Sequence, residues 1–166
     1  MIIVLMGVCG SGKTTIGEAL SGALGWPFYD ADDFHPPANV AKMAAGTPLT
    51  DEDRAPWLAR LADELRACLA RGGHAVLACS ALKQLYRDSL RAAGDVRFVH
   101  LAGDQATIAA RLAHRQHRYM PSTLLASQFA TLEAPTDALT VDIRQDIDEQ
   151  VAFIRRAYGL VGATAS

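Results

Sequence analysis

The sequence has few cysteines and no long apolar segment, and each absence excludes a class of protein. Its three cysteines, Cys9, Cys68 and Cys79, are odd in number and lack C-x-x-C spacing, which argues against a disulfide framework or a zinc site. This cysteine usage fits a reducing cytoplasm. The apolar start is only about six residues long, so we expect neither a signal peptide nor a membrane span.

The charge balance gives no basic face for binding nucleic acid, since the formal net charge is -2 and the isoelectric point is near 6.2. Most of the 16 basic residues are arginines, which favour forked contacts to carboxylate and phosphate groups. With 166 residues and 50% hydrophobic content, the chain can form one sizeable core. We therefore expect a single domain over residues 1–160, followed by a frayed tail at 161–166.

One stretch near the start fits the phosphate-binding pattern G-x-x-x-x-G-K-[ST] at every specified position: Gly7-Val8-Cys9-Gly10-Ser11-Gly12-Lys13-Thr14. An apolar, β-branched run precedes it and a potential helix follows, which is the strand, loop, helix order that the motif requires. The glycines let backbone N–H groups converge on phosphate oxygens at the start of the helix. We expect Lys13 to reach the β- and γ-phosphates of ATP, and the Thr14 hydroxyl to bind Mg²⁺.

Apolar strands alternate with amphipathic helices along the chain. We predict strands near residues 1–6, 26–30, 74–79, 96–101 and 139–143, and helices near 15–24, 38–45, 56–70, 82–93, 104–113, 122–132 and 146–158. This alternation predicts an α/β fold in which helices cover both faces of a parallel sheet. Ligands of such sheets bind beyond the carboxyl ends of the strands, so the phosphate loop, Asp30-Ala31-Asp32 and Ser80-Ala81-Leu82-Lys83 should face one cleft.

Asp30 and Asp32 follow the second predicted strand and suit two roles in phosphoryl transfer. Such a pair can hold a metal-bound water and accept the proton of an acceptor hydroxyl. The alternative is a solvated turn whose carboxylates cap the following helix, a role that Asp33 fits better than the other two.

The third strand ends in Cys79-Ser80, where many P-loop ATPases and GTPases carry a metal-associated aspartate, and this difference favours a small-molecule kinase over a switch or motor.

A basic segment, Arg111 to Arg118, connects two predicted helices. Closing residues 111–121 as a lid over bound nucleotide would bring cations to the phosphates and exclude water. A solvated basic helix end is the alternative.

A second polar set, composed of His35, Lys42, Arg54, Ser80, Lys83 and Arg87, remains around the expected cleft. It suits a hydroxylated anion, because a cation can pair with a carboxylate while the other groups bind hydroxyls. The residues by themselves predict an ATP-dependent kinase of a small polar, anionic alcohol. A nucleotide-binding regulatory module is the alternative from a different class.

Further motifs resemble those of the small P-loop gluconokinases, a family that phosphorylates D-gluconate to 6-phosphogluconate. They are Asp30-Ala31-Asp32-Asp33-Phe34-His35-Pro36, Asn39 with Lys42-Met43, Gly46-Thr47-Pro48-Leu49-Thr50-Asp51, Asp53-Arg54-Ala55-Pro56-Trp57-Leu58, Cys79-Ser80-Ala81-Leu82-Lys83 with Tyr86-Arg87, Tyr119-Met120-Pro121, Leu124-Leu125, Ser127-Gln128-Phe129 and Leu132-Glu133-Ala134-Pro135. The resemblance covers nearly the whole chain and is far more specific than the phosphate loop.

The resemblance implies a three-layer, nucleoside-kinase-like fold with a five-stranded parallel sheet, ATP and Mg²⁺ as cosubstrates, and a homodimer. It implies that Asp32 is the base that accepts the proton of the primary hydroxyl of gluconate, and that Asp30 lies nearer the water bound to Mg²⁺. The residues implied to bind gluconate are Asp32, His35, Arg54, Ser80, Lys83 and Arg87. Thr15, Arg111 and Arg115 join the phosphate loop in binding nucleotide, with Arg111 against adenine and a catalytic Arg115 in the lid.

One departure from the family pattern concerns the lid. Many members have His-Phe-Met where this chain has Arg118-Tyr119-Met120, so no histidine role is carried over to that position. Shikimate or another small hydroxy acid stays open as an alternative acceptor.

Overall fold

A computed structural model describes residues 1–114 and 122–162. Its five strands are β1 (Ile2–Met6), β2 (Phe28–Asp30), β3 (Ala75–Ala78), β4 (Val96–Ala102) and β5 (Leu139–Asp142). Its α-helices are α1 (Lys13–Leu24), α2 (Pro37–Ala44), α3 (Asp51–Ala70), α4 (Gln84–Arg91), α5 (Gln105–Ala113), α6 (Ser122–Thr131) and α7 (Ile147–Ala157). A short 3-10 turn over Ala31–Phe34 follows β2.

The strands form one parallel sheet in the order β2-β3-β1-β4-β5, with β1 at the centre. Every residue of β1 is buried, and its side chains alternate between two apolar clusters. Ile2, Val4 and Met6 pack with α3 and α4, whereas Ile3 and Leu5 pack with α1, α5 and α7. Burial on both faces explains why β1 is a continuous apolar run. The predicted three-layer fold with a five-stranded parallel sheet is confirmed.

Helix α3 begins at Asp51, five residues before the start that we predicted near Pro56. The Thr50 hydroxyl accepts a hydrogen bond from the Asp53 N–H at 3.1 Å, and the Asp53 carboxylate accepts one from the Thr50 N–H at 2.9 Å. This reciprocal capping box fixes the first turn, and Pro56 lies inside the helix. The earlier start places Asp51 and Arg54 on a rigid helix beside the carboxyl ends of β2 and β3.

Two predicted segments extend beyond the part of the chain that the structure describes. Residues 115–121, which include Arg115 and most of the predicted lid, lie outside the described residues, as do residues 163–166 of the predicted tail. Within the described ranges, no helix has the length and apolar character needed to cross a membrane.

Candidate active site

The phosphate loop joins the carboxyl end of β1 to the first turn of α1. Gly7, Gly10 and Gly12 have φ angles of 147°, 84° and 97°, in the region that favours glycine. A Cβ atom at Gly7 would lie 2.8 Å from Ser11 Oγ and 2.9 Å from the Leu101 carbonyl oxygen, so a larger residue does not fit there. The first turn of α1 carries no acidic residue, which leaves its N–H groups and dipole available to an anion.

The Lys13 side chain folds over this loop. Its Nζ donates to the carbonyl oxygens of Gly7 at 3.0 Å and Val8 at 2.9 Å. Desolvation lowers the pKa of Lys13, while negative charges in the cleft, including the Asp32 and Asp30 carboxylates, oppose that shift. The ammonium group is therefore held at the loop by neutral carbonyls, which phosphate oxygens can replace.

A cavity of about 820 Å³ opens beside the loop and has the size of a small-molecule site. It is lined by Ser11, Gly12, Thr15, Ile16, Arg111, His114 and residues at the start of α7. The Arg111 guanidinium donates to the Ile143 carbonyl oxygen, which anchors the arginine at the cavity wall. Thr15 and Arg111, both predicted to bind nucleotide, are thus brought together with the phosphate loop.

Asp30 and Asp32 lie at the carboxyl end of β2. Asp30 Oδ1 accepts a hydrogen bond from the Asp32 N–H at 2.9 Å and caps the 3-10 turn, so Asp30, and not Asp33, takes the capping role. This cap uses one of the two carboxylate oxygens of Asp30. The Asp32 side chain is 79% exposed. Desolvation by the cleft walls and the neighbouring Asp30 charge nevertheless raise the pKa of Asp32, which suits a proton acceptor.

His35 forms the wall behind Asp32. The ring is buried and stacks on Trp57 with centroids 4.1 Å apart, and its Nε2 lies 3.8 Å from Asp32 Oδ1. Desolvation lowers the pKa of His35; the Asp32 charge opposes this shift, and the Arg54 charge adds to it. His35 thus lies between the charges of Asp32 and Arg54, two of the residues that the sequence placed around the cleft.

The predicted cations Arg54 and Lys83 converge on two residues to which the sequence analysis gave no role, Asp51 and Tyr86. Lys83 Nζ donates to both carboxylate oxygens of Asp51 at 3.0 Å, and the Tyr86 hydroxyl donates to the same carboxylate. Arg54 donates to the Tyr86 hydroxyl at 3.3 Å and to the Leu49 carbonyl oxygen at 2.6 Å. This network orients two cations beside the cleft.

Ser80 and Arg87 differ in position, although both were predicted to bind substrate. The Ser80 carbonyl accepts from the Gly7 N–H at 3.2 Å, so Ser80 adjoins the phosphate loop. Arg87 is fully buried and donates to the carbonyl oxygens of Ala81, Leu82 and Glu133 at 2.8 to 3.1 Å. We therefore correct its predicted role: Arg87 holds the loop between β3 and α4, including Ala81 in its left-handed conformation, and does not face the cleft.

Helix α6 contributes a residue that sequence reasoning overlooked. Gln128 Oε1 accepts a hydrogen bond from the Cys9 N–H at 2.6 Å, which ties α6 to the phosphate loop. Gln128 occurs in one of the motifs that resemble the gluconokinase family, and this was its only signal in the sequence. The same holds for Asn39, whose side chain donates to the Asp53 carbonyl oxygen at 2.9 Å.

A family model described as shikimate kinase matches residues 9–150. The chain is 52% identical over 138 residues to a gluconokinase of Gluconobacter oxydans (strain 621H), covering 81% of this chain and 76% of the relative. It is 46% identical over 173 residues to a probable gluconokinase of Xenopus tropicalis, covering 93% of this chain and 91% of the relative.

A solved structure is similar over nearly the whole fold. The crystal structure of a gluconokinase from Sinorhizobium meliloti 1021 aligns with a TM-score of 0.83 at 43% sequence identity. The alignment covers 95% of this chain and 94% of that one.

Proposed function

This chain belongs to the gluconokinase family, and we propose that it transfers the γ-phosphoryl group of ATP to the 6-hydroxyl of D-gluconate, giving 6-phospho-D-gluconate and ADP. The observation that carries the proposal is the position of Asp32, which follows the carboxyl end of β2, at the same edge of the parallel sheet where the phosphate loop with Lys13 follows β1. The alternatives, shikimate as acceptor or a regulatory module, are not favoured, because the relatives at high identity are gluconokinases.

In the proposed reaction, the 6-hydroxyl oxygen of gluconate attacks the γ-phosphorus while Asp32 accepts the hydroxyl proton. The bond between the γ-phosphorus and the bridging oxygen breaks, and ADP leaves. Lys13 and the loop N–H groups stabilise the charge that develops on the transferring group. Arg54, Lys83, His35 and Ser80 bind and orient gluconate, with a cation opposite its carboxylate.

The residues at the loop also fit Mg²⁺. Thr14 is exposed at the start of α1, and Asp30 keeps a second carboxylate oxygen at the end of β2. Oxygen ligands suit this hard cation, which in kinases is held by one or two protein oxygens together with phosphates and water. We assign Thr14 and Asp30 to the metal, whose bound form would neutralise phosphate charge.

Further parts of the proposal come from the family resemblance. We assign residues 1–160 to a single kinase domain. We assign residues 111–121, with Arg111 and Arg115, to a lid over the nucleotide. We also propose that the protein works as a homodimer in the cytoplasm. The three free cysteines suit a reducing compartment. Light scattering of the purified protein tests the dimer.

A coupled assay tests the activity directly. Purified protein is mixed with Mg-ATP and gluconate, and 6-phosphogluconate dehydrogenase converts the product with formation of NADPH. We expect NADPH to form with gluconate. With shikimate, whose phosphorylation this dehydrogenase does not report, we measure ADP release and expect none. Release of ADP with shikimate alone would move the assignment to that acceptor, and ATP binding without phosphorylation of any acceptor in a panel would favour the regulatory module.

A further inference from the structure

Asn39 lies on the opposite side of His35 from Asp32. It is 3% exposed, in the first turn of α2. Its Nδ2 donates to the Asp53 carbonyl oxygen at 2.9 Å and lies 3.2 Å from His35 Nδ1. Nothing in the proposed reaction uses this buried amide, which does not touch the cleft side of the ring.

The two contacts of Asn39 fix the direction of its amide. A backbone carbonyl oxygen only accepts hydrogen bonds, so the group facing Asp53 is the amide nitrogen and not the amide oxygen. That nitrogen carries two hydrogens, and the second is available to His35 Nδ1. Because a neutral imidazole has one donor and one acceptor nitrogen, Nδ1 accepts and Nε2 carries the hydrogen.

We propose that Asn39 is a positioning residue that fixes His35 as the Nε2–H tautomer, so that the ring presents a donor and not a lone pair to the Asp32 carboxylate. The inference rests on the proposed function, in which Asp32 is the base. A donor near Asp32 Oδ1 favours the orientation in which the other oxygen faces the gluconate hydroxyl. The opposite tautomer would place a lone pair against the carboxylate and offer the hydroxyl a competing acceptor.

The tautomer can be measured without turnover. Long-range ¹H–¹⁵N correlation spectra of ¹⁵N-labelled protein separate the two ring nitrogens, and the His35→Gln spectrum assigns the His35 signals. We expect an unprotonated Nδ1 and a protonated Nε2 in the wild type, with this preference lost in Asn39→Leu. A protonated Nδ1 in the wild type would overturn the inference, even if Asn39→Leu failed to fold and whether or not gluconate is phosphorylated.

Kinetics test whether the tautomer matters for the reaction. Asn39→Leu should lower kcat roughly tenfold with the KM for ATP retained, because one hydrogen bond that orients the base is lost. Val40→Ala, at the next and half-exposed position of α2, is the matched control and should leave kcat as it is.

A second background separates positioning from a general structural effect. In His35→Gln the side-chain NH₂ supplies a permanent donor in place of Nε2–H and has no tautomer to fix. Adding Asn39→Leu to His35→Gln should then change kcat by less than about threefold. An equal loss in both backgrounds would show that Asn39 acts only through packing and would overturn the proposal.

Discussion

The two sides of the cleft are built from different parts of the chain. The donor side, Gly7 to Thr14, uses backbone N–H groups, glycines of positive φ and one lysine from a single segment. The acceptor side, residues 30–58 and 79–87, uses side chains that several segments bring together through buried or half-buried hydrogen bonds. A site built from backbone N–H groups tolerates side-chain substitutions at most of its positions that are not glycine. A network of side-chain hydrogen bonds depends on every residue in it. The predictions test this difference.

The largest effect is expected for Asp32→Asn. Removing the base should lower kcat by roughly 10² to 10⁴, because the hydroxyl proton loses its acceptor. ATP affinity, measured by calorimetry, should be retained, since Asp32 belongs to the acceptor side. An unaltered kcat would remove Asp32 from the mechanism.

Lys13→Met makes the corresponding change on the donor side. Loss of the ammonium group should lower kcat by roughly 10² to 10³, because a charge that stabilises the transferring group is removed. ATP binding should weaken while gluconate binding persists, the reverse of the acceptor-side pattern. Equal losses of both ligands would contradict the separation of the two sides.

Arg87→Lys tests the corrected role of the buried arginine. A lysine cannot reach the three carbonyl oxygens that the guanidinium serves, and each unsatisfied buried carbonyl costs about 1 to 3 kcal/mol. The free energy of unfolding in urea should fall by about 3 kcal/mol, with the KM for gluconate changed less than about threefold. A large rise in KM without loss of stability would restore Arg87 as a substrate contact.

How well the sequence predicts the donor side and the acceptor side depends on how far apart the contacting residues of each side lie along the chain. The phosphate loop and the central strands were predictable because a local pattern and a continuous apolar run determine them. The pairing of Asp51 with Lys83 and Tyr86 spans 32 and 35 positions, and that of Cys9 with Gln128 spans 119. Packing of distant elements decides such pairs, and no local spacing encodes them. Arg87 was misassigned for the same reason, since its partner Glu133 lies 46 positions away.

Asp51→Asn probes the long-range network itself. The variant keeps the size of the side chain but removes the charge that holds Lys83, so the ammonium group loses its fixed position. We expect the KM for gluconate to rise roughly tenfold with kcat little changed, within the range for charge-assisted hydrogen bonds. A lower KM would instead show that Asp51 competes with the gluconate carboxylate for Lys83. Asp63→Asn, in an exposed pair with Arg66, is the control.

The smallest expected effect is the acid sensitivity of the first turn of α3, which carries Asp51 and Arg54. Hydrogen bonds from the Lys42 ammonium and the Thr50 N–H lower the pKa of Asp53 to about 2. A carboxyl group whose pKa is lowered by folding stabilises the native state above its unfolded pKa of about 3.9, and this contribution disappears as the pH falls toward about 2.

Between about pH 5 and pH 2, the wild type should therefore lose more unfolding free energy than Asp53→Asn, measured by urea denaturation. The difference should be small, because the Lys42–Asp53 pair is partly exposed. Protection of the amides against hydrogen exchange, corrected for the intrinsic exchange rate at each pH, should fall at the start of α3 before it falls at the start of α1, whose N-terminus has no side-chain cap. A simultaneous loss of protection at both helices would mean that acid acts on the whole fold and not on the acceptor side first.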